Sequence, residues 1–222
     1  SGSKAIDQLF NAIDLSGVST GGTATVNLTG SNPFVTKAST GIITAQVVDA
    51  SALTGALTMN VAMESTAAST GSATLTGGSA ADTLKGDTDE KSTINGGAGG
   101  DNITGGSAVD TINGGTGDDT IDGGGGADII NGEAGNDSIT LNGTTSTIDG
   151  GAGNDTVTAA ANLAYGVTVK GGEGTDILSI SADESKADFS GVSGFETLVL
   201  AGDITIDLGD LENNTFTTVT ND

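Results

Sequence analysis

The sequence contains no cysteine, histidine, tryptophan or arginine, and only one proline and one tyrosine. Without Cys or His it cannot build a disulfide framework, a zinc finger, a haem site, a thiol nucleophile or a His-based triad. Positive charge is scarce as well: 6 Lys face 29 Asp and Glu, a formal net charge of −23 over 222 residues. Such a surface repels phosphate, which argues against nucleic acid as a partner and against attraction to anionic lipid. No run approaches the ~18 apolar residues of a membrane-spanning helix, and residues 1–20 lack a basic start followed by an apolar stretch. No direct membrane insertion is expected, and the chain reads as a segment of a longer protein. What the sequence offers in quantity is oxygen, the ligand of hard cations such as calcium.

Large apolar residues are also sparse. Leu, Ile, Val and Phe make up about 22% of the chain, near the ~20% below which strongly charged chains bury too little surface to fold. Gly, at 38 residues, would suggest a flexible linker if it were scattered. Instead it recurs at a fixed period.

From Gly96 the sequence reads GGAGGDNIT, GGSAVDTIN, GGTGDDTID, GGGGADIIN, GEAGNDSIT, LNGTTSTID and GGAGNDTVT, seven consecutive nonapeptides. Their eighth positions are Ile103, Ile112, Ile121, Ile130, Ile139, Ile148 and Val157; the register extends to Leu75, Leu84 and Ile94 before them and to Val169 and Leu178 after. Three residues around each aliphatic one form a short strand that turns one side chain inward and two outward. The Gly-rich residues between strands permit the φ > 0 conformations of a tight turn. Two nonapeptides then close one 18-residue coil. The inward residues stack in two rows, Ile-rich because β-branched side chains suit a buried pleated surface. About six coils span Leu75 to Leu178, a rod of roughly 28 Å at ~4.8 Å per layer. The expected fold is all-β: a parallel β-solenoid with further strands flanking it at both ends.

The pattern G-G-x-G-x-D-x-U-x, with U aliphatic, resembles the RTX calcium-binding nonapeptide. That resemblance implies a right-handed β-roll in which calcium lies between turns stacked on one edge, held by the sixth-position Asp and by backbone carbonyls, mainly of positions one and three. Consecutive turns fall on opposite edges, so the candidate ligands sort into two groups. One edge carries Asp82, Asp101, Asp119, Asp137, Asp155 and Asp176, and the other carries Asp110 and Asp128. The carbonyls implied are those of Gly96 and Ala98, Gly105 and Ser107, Gly114 and Thr116, Gly123 and Gly125, Gly132 and Ala134, Gly150 and Ala152, and Gly171. Degenerate segments at 86–95 and 141–149 interrupt the second edge, with Lys91 and Ser146 in the sixth place. About six Ca²⁺ ions are therefore expected, five on the first edge and one on the second. Ala80, Ala108 and Glu133 replace glycines of the pattern and are expected to weaken individual sites. Carboxylates stacked every ~4.8 Å repel one another unless cations intervene, which makes calcium a folding partner. Asp203, Asp207, Asp210 and Glu212 read instead as a solvated acidic face.

On this reading the chain divides into a β-rich N-terminal flank (1–70) that continues the solenoid, the calcium-binding roll (71–179) and a C-terminal β-strand flank (180–222). Three flank segments, IDLSGV (13–18), VDASAL (48–53) and ADFSGV (187–192), share a pattern, and each precedes a strand-like stretch. Tyr165, inside a 12-residue unit, reads as a packing residue. The repeats GGAGNDTV and GGEGTDIL followed by SGVSGFETLVL resemble RTX-bearing surface-layer (S-layer) proteins of Gram-negative bacteria. This resemblance implies type I secretion, a place on the bacterial cell surface, and calcium-dependent self-association into a two-dimensional lattice. It also implies contact with cell-surface polysaccharide through other regions of the parent protein. The expected function is a structural calcium-binding segment of such a self-assembling protein. The alternative is the calcium-binding module of a secreted adhesin, toxin or hydrolase. An enzyme is not expected: adjacent acids such as Asp118 and Asp119 follow from the turn pattern, and neighbours along a strand face opposite ways.

Overall fold

A computed structural model describes residues 25–31, 34–35, 47–60, 72–142, 146–159, 163, 166–180, 188–201 and 216–221. Through them the chain alternates between two sheets. One sheet stacks Thr25–Gly30, Val47–Leu53, Ala73–Thr76, Ser92–Ala98, Thr111–Thr116, Ile129–Ala134, Thr147–Ala152, Thr168–Glu173 and Val192–Ser193. The other stacks Phe34–Val35, Leu57–Asn60, Thr83–Lys85, Asn102–Gly106, Thr120–Gly124, Ser138–Leu141, Thr156–Ala159, Ile177–Ile180, Thr197–Leu200 and Thr218–Asn221. Neighbouring strands run parallel throughout. This is the parallel β-solenoid that the nine-residue period predicts, since strands in consecutive nonapeptides must face each other across a thin core.

Register follows the same logic. Thr93, Thr111, Ile129 and Thr147 align in one sheet, and Asn102, Thr120, Ser138 and Thr156 in the other. The inward residues form two rows. Val48, Leu75, Ile94, Ile112, Ile130, Ile148, Val169 and Val192 make the first, and Met59, Leu84, Ile103, Ile121, Ile139, Val157, Leu178 and Leu198 the second, all of them buried. Every apolar eighth position read from the sequence lies in one of these rows. Val219 continues the second row beside Leu198 but stays 55% exposed, because no further layer covers it among the described residues.

The six-residue pattern of the flanks has a local cause. Asp49 Oδ1 accepts the N–H of Ser51 at 3.0 Å, and Asp188 Oδ1 accepts that of Ser190 at 2.9 Å. In both copies the residue between them, Ala50 or Phe189, is buried. At Asp49 this bond accompanies the register shift of Val47–Leu53 against Thr25–Gly30, and at Asp188 it caps the short 3₁₀ turn Phe189–Gly191. Phe189 meets Phe216 edge to face, with ring centroids 6.2 Å apart. The copy at 13–18, and with it Tyr165, Asp203, Asp207, Asp210 and Glu212, lies outside the described residues.

Candidate metal centre

Each sixth-position Asp is the last residue before a strand and two residues before the aliphatic one, so its side chain faces inward on the same side instead of into solvent. All eight predicted Asp residues are at most 2% exposed. On the first edge they form a ladder through backbone N–H groups. Asp82 N–H donates to Asp101 Oδ1 at 2.8 Å, Asp101 to Asp119 at 2.7 Å, and Asp119 to Asp137, Asp137 to Asp155 and Asp155 to Asp176 at 2.8 Å each. One oxygen of each carboxylate from Asp101 to Asp176 is thereby used.

The other oxygen is not. Oδ2 of Asp101, Asp119, Asp137, Asp155 and Asp176 is buried without a hydrogen-bond partner. A methyl group added at Gly96, Gly114, Gly132, Gly150 or Gly171 would lie under 3.0 Å from that Oδ2 and from the carbonyl of Gly114, Gly132, Gly150, Gly171 or Gly194 in the next coil, respectively. A carboxylate oxygen without a hydrogen-bond partner and a carbonyl therefore converge on one small space. Two acceptors cannot satisfy each other, and an unpaired buried carboxylate is costly. A cation bound by oxygen alone resolves both problems, and calcium accepts this mixture of carboxylate and backbone carbonyl. No three carboxylates gather in one place among the described residues; the buried carboxylates are spread along the edge, one per turn.

Proton affinity reports the same mismatch. Burial pushes the Asp101 carboxyl up to about 7, against the hydrogen bond from Asp82 and aided by the charges of Asp119 and Asp82. Burial likewise carries Asp128 and Asp137 up to about 6 and raises Asp110, Asp119, Asp155 and Asp176. A site that prefers a proton at this depth is one where a divalent ion can take the proton's place.

One carboxylate on each edge is satisfied at both oxygens. Asp82 is satisfied at both oxygens, by Leu57 N–H and Gly78 N–H at 2.7 Å each. Asp110 is also satisfied, by Ser92 N–H at 2.7 Å and Gly106 N–H at 2.6 Å. Along the second edge the ladder runs from Asp87 N–H to Ser92 Oγ, from Ser92 to Asp110, from Asp110 to Asp128 and from Asp128 N–H to Ser146 Oγ. Ser92 therefore holds the place assigned to Lys91. The extra residue of the ten-residue unit lies inside the turn, so counting from Gly86 stops one short, and Lys91 is left exposed. Gly105 and Gly123 keep the close approach, the first to the Gly123 carbonyl and Asp110 Oδ2, the second to Asp128 Oδ2.

Position-three groups are placed differently from position one. The carbonyls of Thr116, Ala134 and Ala152 accept the N–H of Gly99, Gly117 and Gly135, which leaves each one further lone pair. Ala98, Ser107 and Gly125 donate their own N–H groups to the carbonyls of Gly78, Thr88 and Gly106. A family model of the RTX calcium-binding nonapeptide repeat matches four copies in this chain, at residues 68–90, 92–115, 104–139 and 142–162. The chain carries RTX calcium-binding repeats. RTX repeats bind Ca²⁺ and imply a structural calcium-binding module of a secreted protein. No curated protein and no solved structure matches the chain. Two ladder members, Ser92 and Glu196, lie outside the predicted set. Glu196 stands immediately before a strand, as the first-edge Asp residues do, and Ser92 is the first residue of its strand.

Proposed function

We propose that this chain is the calcium-stabilised solenoid segment of a self-assembling bacterial surface-layer protein, exported through a type I system and folded on meeting calcium outside the cell. Its role is structural and not catalytic. The observation that carries this reading is the row of five buried, unpartnered carboxylate oxygens on one edge. Without cations the row holds buried like charges, and the chain gains by staying unfolded and exportable. Each ion bound only to the folded state adds RT ln(1 + [L]/Kd), about 1.4 kcal/mol at ten times Kd, so five add about 7 kcal/mol. That is the scale of a whole domain's stability, typically about 5–15 kcal/mol. Sites with Kd of ~10⁻⁴ to 10⁻³ M suit an extracellular calcium supply.

The run SGVSGFETLVL, forming the coil after the last repeat, supports the surface-layer assignment over a generic module. Self-association into a lattice then follows calcium-driven folding, and contact with polysaccharide belongs to other parts of the parent protein. Light scattering with negative-stain electron microscopy during calcium addition tests it, with Mg²⁺ as control. Ordered two-dimensional arrays that grow above the folding transition are expected. A folded chain that stays monomeric would move the assignment to the module of an adhesin, toxin or hydrolase.

A further inference from the structure

The RTX match ends at residue 162, and the last six-residue turn of the pattern is Gly171–Asp176. The first edge goes on beyond both. Lys170 aligns with Ser193 and Ile177 with Thr197, so the connection between Ser193 and Thr197 stacks on the Gly171–Asp176 turn. That connection has only Gly194, Phe195 and Glu196 where the repeat has six residues. Phe195 is buried, and Gly194 takes φ +73°, the left-handed turn. Asp176 N–H donates to Glu196 Oε2 at 2.8 Å. This is the bond each earlier Asp of the edge makes to the Asp one coil on. A turn three residues shorter brings less backbone to the edge, and the extra methylene of Glu spans the difference.

The second half of the arrangement is repeated too. Asp176 Oδ2 is fully buried and has no hydrogen-bond partner. It and the Gly194 carbonyl converge under 3.0 Å from the point where a methyl on Gly171 would sit. Here a second carboxylate, that of Glu196, stands close by and adds its charge.

We infer that Asp176, Glu196 and the Gly194 carbonyl form a calcium site outside the nonapeptide repeats, which binds the 192–200 coil to the end of the roll. The site rests on the calcium-binding reading of the first edge. Its Asp176 oxygen is the fifth of the five unpartnered ones on the first edge, and the one whose facing carbonyl comes from outside the six-residue turns. Calcium there makes order in the following coil depend on the ion, although that coil has no glycine-rich turn of its own.

Equilibrium dialysis of the full chain at saturating calcium, with bound ion counted by atomic emission, tests the site in Glu196→Gln and Asp176→Asn. Gln retains an acceptor for the Asp176 N–H and removes only the charge. Both variants are expected to bind one ion fewer than the natural chain. A full count at unchanged affinity in both overturns this site and leaves the repeats' own sites standing. Asp137→Asn, inside the repeats, is the reference; if it too loses no ion, the first-edge reading fails and this site with it. If Asp176→Asn does not fold, hydrogen exchange on the natural chain and Glu196→Gln decides. Calcium is expected to protect the amides of 192–200 at least tenfold in the former and not in the latter. Protection that is indifferent to calcium in the natural chain overturns the site.

Discussion

In Asp101 one carboxylate oxygen accepts a backbone N–H while the other is buried with nothing to accept, and the same holds for Asp119, Asp137, Asp155 and Asp176. The usual effect of pH on a native carboxylate is thereby reversed. Folded values that reach about 7 for Asp101 and about 6 for Asp128 and Asp137 lie above the roughly 3.9 of an unfolded Asp. The metal-free fold binds more protons than the unfolded chain, so its stability falls as pH rises. This contribution is fully present below about pH 4 and is lost as pH passes through the folded values. In chelator, far-UV circular dichroism is therefore expected to show more β structure at pH 5 than at pH 8, with calcium restoring it at pH 8. Identical chelated spectra at the two pH values would contradict the raised carboxylates. Glu133 tests the turn itself. It is the one non-glycine residue with positive φ among those described, at +73°, and it aligns with Gly115 at +116°. A left-handed non-glycine residue costs about 1–2 kcal/mol. Glu133→Gly is expected to stabilise the calcium-bound fold by about 1 kcal/mol, seen as a higher urea midpoint at unchanged slope. A lower midpoint would show that its side chain contributes something the conformation hides.

At the scale of the strand, three residues separate core from surface by alternation alone. Ile121 is fully buried between Ile103 and Ile139, whereas Ile129 is 53% exposed between Thr111 and Thr147. Ile121→Ala should cost about 3 kcal/mol in saturating calcium, and Ile129→Thr less than about 0.5 kcal/mol. Comparable losses from both would mean the strands do not face as described. This alternation was legible in the sequence because one nine-residue period sets both the aliphatic rows and the turns, so Leu75 to Leu178 could be assigned by counting. Counting failed where the period did. Val48, Met59, Val192 and Leu198 extend the rows, but connections longer or shorter than the repeat's separate them, and their spacing carries no signal. The site was legible as residue types and edges, not as hydrogen bonds. Ser92 escaped because the place of an insertion within a turn is decided by backbone closure, and Glu196 because a shorter turn exchanged Asp for a longer acid. Nor does spacing reveal that Asp82 and Asp110 find N–H donors for both oxygens while five others do not.

Across the whole molecule, two thin aliphatic rows oppose a net charge of −23 and the entropy of 38 glycines. Apolar burial at this content is marginal, and we propose that calcium bound along the carboxylate edge supplies the balance. Stability is then distributed along the rod, each coil depending on its neighbours and on the ions between them. The most direct measurement is far-UV circular dichroism of the full chain through a calcium titration from chelator at pH 8, with Mg²⁺ in parallel. The account predicts a cooperative transition from coil to β structure with calcium and none with Mg²⁺, whose tight octahedral shell does not fit shared carbonyls. Complete β structure in chelator, unchanged by calcium, would contradict it.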